Sequence, residues 1–84
     1  MNKVYVLIHK DHDGELDVKA FKDKETPISQ VMETMYGEDW EAQAADEEWD
    51  LYEEIQGNLD TIWEGYWVGN KDGSWLLKET EVQD

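Results

Sequence analysis

The chain predicts a small α+β domain, an antiparallel sheet of about four strands in the order β-β-α-α-β-β with one or two helices packed on one face. Three observations carry that prediction. Apolar and polar residues alternate near both ends of the chain, which is the strand period. Between the ends, Ile28, Val31, Met32, Met35 and Tyr36 recur at i, i+3, i+4, i+7 and i+8, which is one face of a helix. A length of 84 residues leaves room for one core, so residues 1–84 are read as a single domain.

The elements follow in order. Val4, Val6 and Ile8 alternate with Tyr5, Leu7 and His9 in a first strand, and Leu16, Val18 and Ala20 alternate with Asp17, Lys19 and Phe21 in a second. Lys10 to Gly14 joins them as a turn, with Asp13-Gly14 its strongest signal. Thr26-Pro27 predicts a helix start, with Thr26 as N-cap, and Gly37 predicts its end. A second helix is expected over residues 39–56, stopped by Gly57-Asn58. On it Trp40, Ala44, Leu51 and Ile55 share one narrow arc at about 100° per residue. Thr61 to Val68 is β-rich and predicts a third strand, Gly69 to Gly73 a hairpin loop, and Ser74 to Val82 a final strand.

Charge is the most unusual property of the chain. The net charge is −15, yet residues 1–24 hold five Lys and five acids and are neutral. From Glu25 to Asn70 there are thirteen Asp and Glu and no Lys or Arg. A block of one sign makes a directed field that attracts a cationic partner and repels nucleic acid and anionic membranes. The acids are not those of a disordered tail, because 39% of residues are hydrophobic and 12% aromatic. Self-repulsion makes such a fold sensitive to salt. With no Cys there is no disulfide, thiolate nucleophile or Cys-type zinc site. No apolar run approaches the ~20 residues of a membrane span, and the opening residues lack a signal-peptide pattern. The expected location is the cytoplasm.

If residues 39–56 form one helix, Asp46, Glu47, Asp50, Glu53 and Glu54 lie along one side of it, opposite the apolar arc. Turns repeat every ~5.4 Å, so these carboxylates form a ladder on the scale of a nucleic-acid backbone. Like charges at i,i+4 each cost roughly 0.2–0.5 kcal/mol, and no Lys relieves them. The alternative is a solvated acidic face, as in salt-adapted proteins, but the balanced first 24 residues argue against uniform adaptation. Glu38, Asp39 and Glu41 extend the candidate binding patch. Trp49, flanked by acids, fits either an interface anchor or packing under a loop.

Other signals carry less. Asp11, Asp13, Gly14 and Asp17 resemble part of a calcium loop, but Lys22 stands where the bidentate Glu is needed, and His9 and His12 lack further ligands. No metal and no cofactor is expected. Trp63, Gly65 and Trp67, with Trp75 and Leu77 opposite, suggest either a stacking platform or ordinary cross-strand packing. Ser29 and Ser74 have no His nearby in sequence, and no catalytic residue is assigned. The chain is expected not to be an enzyme.

The size, the lack of Cys and the basic-free acidic run Glu38 to Glu64 resemble a class of small acidic phage-encoded inhibitors, the DNA mimics and anti-CRISPR proteins. Lys3 to Ile8, and Gly65 to Gly69 with Glu81-Val82, are also similar to small phage proteins of Gram-positive bacteria. The resemblance implies a stoichiometric inhibitor whose acids occupy the cationic groove of a CRISPR effector, nuclease or DNA-repair enzyme in the host cytoplasm. It implies no direct binding of nucleic acid. The alternative reading is a small regulatory or assembly module that binds a protein partner, or itself as a homodimer, through its aromatic sheet or an exposed edge strand.

Overall fold

The structure, a computed structural model, describes residues 2–71 and 73–82. Seven elements run in order: β1 (Asn2–Asp11), β2 (Leu16–Phe21), α1 (Glu25–Tyr36), α2 (Trp40–Ala45), α3 (Tyr52–Trp63), β3 (Val68–Asn70) and β4 (Gly73–Val82). The four strands form one antiparallel sheet in the order β2-β1-β4-β3, as the alternation at the two ends predicts. Its spine is the pairing of the first strand with the last, from Asn2 opposite Val82 to Asp11 opposite Gly73. No helix among the described residues is long and apolar enough to cross a membrane.

The first hairpin follows from its turn residues. The Asp11 Oδ1 accepts the backbone N–H groups of Asp13 and Glu15, each at 2.9 Å, and Gly14 takes φ +87°, open to glycine without a Cβ penalty. In the β3–β4 turn, Asp72 of the expected Gly69 to Gly73 loop lies outside the described residues.

Helix α1 begins two residues before the predicted start. Lys24 occupies the N-cap position, and the Thr26 hydroxyl donates to Asp23 at 3.0 Å instead of capping. Pro27 is still in the first turn, where its missing N–H has no intrahelical role. Gly37 ends the helix as expected, at φ +95°, with its N–H on the Glu33 carbonyl. Ile28, Val31 and Met32 are buried, and Met35 and Tyr36 pack half-buried against the same core.

The expected helix over residues 39–56 is two helices. The chain leaves helical geometry at Asp46, whose φ and ψ are −107° and 101°, and α3 begins only at Tyr52. The cause is local. The Asp46 Oδ1 accepts the Glu48 N–H at 3.0 Å, an Asx turn that competes with continued helix. The break also releases i,i+4 repulsion and places Glu53 and Glu54 in the first turn of α3, where the helix dipole favours carboxylates. Leu51, assigned to the buried arc, is 39% exposed because it sits at the N-cap of α3 and faces away from the core.

The predicted strand over Thr61 to Val68 is also corrected. Thr61, Ile62 and Trp63 are the last turn of α3, and β3 starts only at Val68. Gly57 does not stop α3, although an interior glycine costs roughly 0.5–1 kcal/mol. Burial decides the matter: Ile55 and Ile62, spaced i and i+7, are both 0% exposed with Leu59 packed beside them. Trp63 and Trp67 therefore line no common strand. Trp75 does face inward from β4, stacked on His9 with ring centroids 4.7 Å apart.

The helices cover one face of the sheet. Tyr5, Leu7, Phe21, Trp75 and Leu77 point into a core shared with α1 and α3. The helical layer lies between the two pairs of strands in sequence, and it carries most of the acids.

Candidate functional site

Nine acids fall between Glu38 and Glu54, and every one of them is exposed. Glu38 and Asp39 lie in the turn after Gly37, with Asp39 at the N-cap of α2, and Glu41 is in the first turn of that helix. Asp46 is its C-cap. Glu47, Trp49 and Asp50 lie in the six-residue connection, and Glu53 and Glu54 open α3. These residues do not form a ladder along one helix. They are spread over the start of α2, the connection that follows it and the start of α3, with Glu41 and Glu54 lining different grooves, and the ~5.4 Å rungs of a single helix do not apply.

The junction is held from below by apolar and amide contacts. Trp40 and Ala44 pack half-buried on the core, and Gln56 Nε2 donates to the Ala44 carbonyl at 2.7 Å, tying α3 to the end of α2. With α2 fixed in this way, the acidic connection is displayed from a supported base. Trp49 is 48% exposed, so half of the indole remains available for contact. Glu48, left off the candidate set because a single helix turns it away from the ridge, is exposed in the same connection. The signal for it was Asp46, whose tendency to form an Asx turn breaks the helix that the wheel assumed.

Among the described residues, none of these acids is in an ion pair; the ion pairs present are Lys3 with Glu79 and His12 with Asp13. Lys24 and Lys78 are engaged elsewhere. Lys24 Nζ sits 4.5 Å from the centre of the Trp63 ring and donates to the Trp63 carbonyl, and Lys78 Nζ donates to the Gly65 carbonyl. Lys71 marks one border of the patch, lining a groove with Glu54, Tyr36 and Leu51. Like charges without counter-ions are a standing cost to the fold, and a cationic partner would relieve it.

Glu54 is the acid most involved in the fold. Burial and then a hydrogen bond to the Glu54 carboxylate push the Tyr36 hydroxyl from 10.0 up to about 12, opposed in part by a hydrogen bond with Asn58. Because the folded value lies above the unfolded one, the contribution is complete below pH 10 and is lost as pH rises toward 12. Ultraviolet titration should therefore show a late phenolate from Tyr36. Glu54→Gln should bring that phase to lower pH, and an unchanged titration would exclude the contact.

The remaining candidates separate in space. His9 faces inward against Trp75, whereas His12 is in the exposed hairpin turn. No group of three or more His, Asp or Glu among the described residues is arranged to hold a metal ion. Comparison with family models, with curated proteins and with solved structures finds no match to this chain.

Proposed function

We propose that this chain is a non-enzymatic inhibitor whose acidic helical junction occupies the cationic nucleic-acid groove of a bacterial defence protein, as anti-CRISPR proteins and other nucleic-acid mimics do. The observation that carries the proposal is the set of exposed acids from Glu38 to Glu54, none of them ion-paired among the described residues. Guanidinium forks on the target would take these carboxylates in bidentate pairs, and Trp49 would supply an apolar anchor at their centre. The chain would act in the cytoplasm of the host cell, where such targets work.

The helix break changes the form of mimicry. A straight row of charges imitates one strand of a duplex, whereas acids spread over two helix starts and a connection do not repeat at its spacing. Charge density, not backbone-like spacing, is what the target would read. The test is inhibition of a purified CRISPR effector or DNA-cleaving nuclease across a salt series. Inhibition that weakens steeply from low to moderate salt supports electrostatic occupation of the groove. Inhibition indifferent to salt would assign the interaction to an apolar surface.

A further inference from the structure

The sheet has a second face that no helix covers. Strand register places Val4, Val6 and Ile8 of β1 on it, beside Leu16, Val18 and Ala20 of β2. On the other flank β4 contributes Leu76, Lys78 and Thr80. None of these side chains joins the helix-packed cluster; Leu16 and Val18 are 64% and 59% exposed, Val4, Val6 and Ile8 are half-buried, and Leu76 is already buried at 8%. Trp67, one residue before β3 and level with Leu76 in the register, is 47% exposed.

The same face is free of carboxylates. Asp and Glu make up 22 of the 84 residues, yet the acids within the strands, Asp11, Asp17, Glu79 and Glu81, all have the parity of the helix-covered side. The uncovered side carries lysines instead. Lys10 stands at one end, and Lys78 is held by its Nζ, which donates to the Gly65 carbonyl at 3.1 Å. A merely solvated face in so acidic a chain would carry acids too.

We propose that this face binds a second copy of the chain, two sheets packing face to face about a two-fold axis with the helical layers outside. A second copy presents the same apolar, carboxylate-free surface, as a two-fold interface requires. The arrangement also answers the charge problem. Two sheets ~10 Å apart, each backed by its helices, hold the acidic layers ~30 Å from one another, several Debye lengths of ~8–10 Å in ordinary salt. The area is sufficient for association. At ~4.8 Å spacing, β1 and β4 at ~34 Å and the shorter β2 at ~20 Å give a flat footprint of roughly 420 Å². Side-chain relief and Trp67 bring the accessible area toward the ~800 Å² per partner of a standard interface.

One competing dimer uses the free edge of β2. Pairing Val18 with Val18 of a second copy would set Asp17 opposite Lys19, but it would add no cover to the half-buried Val4, Val6 and Ile8. Face-to-face packing covers all of them. It is independent of what the acidic junction binds.

Sedimentation equilibrium at moderate salt, on the full chain, decides the matter. The wild type should sediment at about twice 9.9 kDa, and salt added beyond a moderate level should change this little, because the acidic layers are already several Debye lengths apart. Thr80→Glu and Val18→Glu each put an acid on the face at an exposed position, and each should weaken the dimer tenfold or more. Asp17→Lys, on the other side of β2, should leave it unchanged. Circular dichroism confirms the fold of each variant, and Thr80→Glu decides alone if Val18→Glu fails to fold. A wild type that stays at 9.9 kDa at sub-millimolar concentration, or a dimer that survives Thr80→Glu, would overturn the proposal. A dimer broken by Asp17→Lys would assign the contact to the β2 edge instead.

Discussion

Replacing Glu41, Glu47 and Asp50 together by lysine should abolish binding to a cationic target and leave the fold intact. Each reversal adds two charges, so the triple variant moves the net charge from −15 to about −9. At ~1 kcal/mol for each lost attraction, with repulsion added, the loss is on the order of 10²–10³ in affinity. The choice of residues follows from the structure. Asp46 accepts the Glu48 N–H and Glu54 meets Tyr36, so changing them would disturb the scaffold as well as the charge. Glu41, Glu47 and Asp50 are exposed and are free of ion pairs among the described residues. Binding should be followed by surface plasmon resonance or inhibition assay, with the fold checked by circular dichroism. A folded variant that still binds with wild-type affinity would remove these acids from the site.

Ile55→Ala should be the most damaging conservative change to the fold. Ile55 is 0% exposed and lies where α3 meets α1 and the sheet. Truncating such a residue costs about 2–5 kcal/mol through lost transfer energy and the cavity left behind. A domain of this size has only about 4–12 kcal/mol in total. The melting temperature should fall by roughly 10–20 °C, read by thermal denaturation. Leu51→Ala serves as the control, because Leu51 is already 39% exposed and should lose little. Equal effects at the two positions would contradict the assignment of α3 as the inner helix.

The sheet was legible in the sequence because its signals are short-range. Alternation from Val4 to His9 and from Leu16 to Phe21, with Asp13-Gly14 between, defines a hairpin by itself. The long β1–β4 pairing then follows from two matching strands at the ends of one small domain. The helical layer was harder to read. Trp40, Ala44, Leu51 and Ile55 fit one helical arc, but periodicity does not register that Asp46 can bond its own backbone or that repulsion favours a break. The stretch from Thr61 to Val68 is β-rich in composition, yet Ile62 lies one helical repeat after Ile55, and core burial outweighed propensity. The acids were legible as a block of charge and were misplaced as a ladder. Their separation from the uncovered face of the sheet was open to reading too, since it needs only strand parity, but it requires knowing which face the helices take.

Competition with DNA distinguishes a cationic nucleic-acid groove from any other surface this chain would occupy. The most direct measurement immobilises the wild type and the Glu41/Glu47/Asp50 lysine variant side by side. Bacterial lysate is passed over both at low salt, and bound protein is eluted with duplex DNA and identified by mass spectrometry. A nuclease, repair enzyme or CRISPR effector should be retained by the wild type alone and released by DNA, because DNA and the acidic residues would compete for one groove. Retention that DNA does not disturb, or equal retention by the variant, would contradict the proposal.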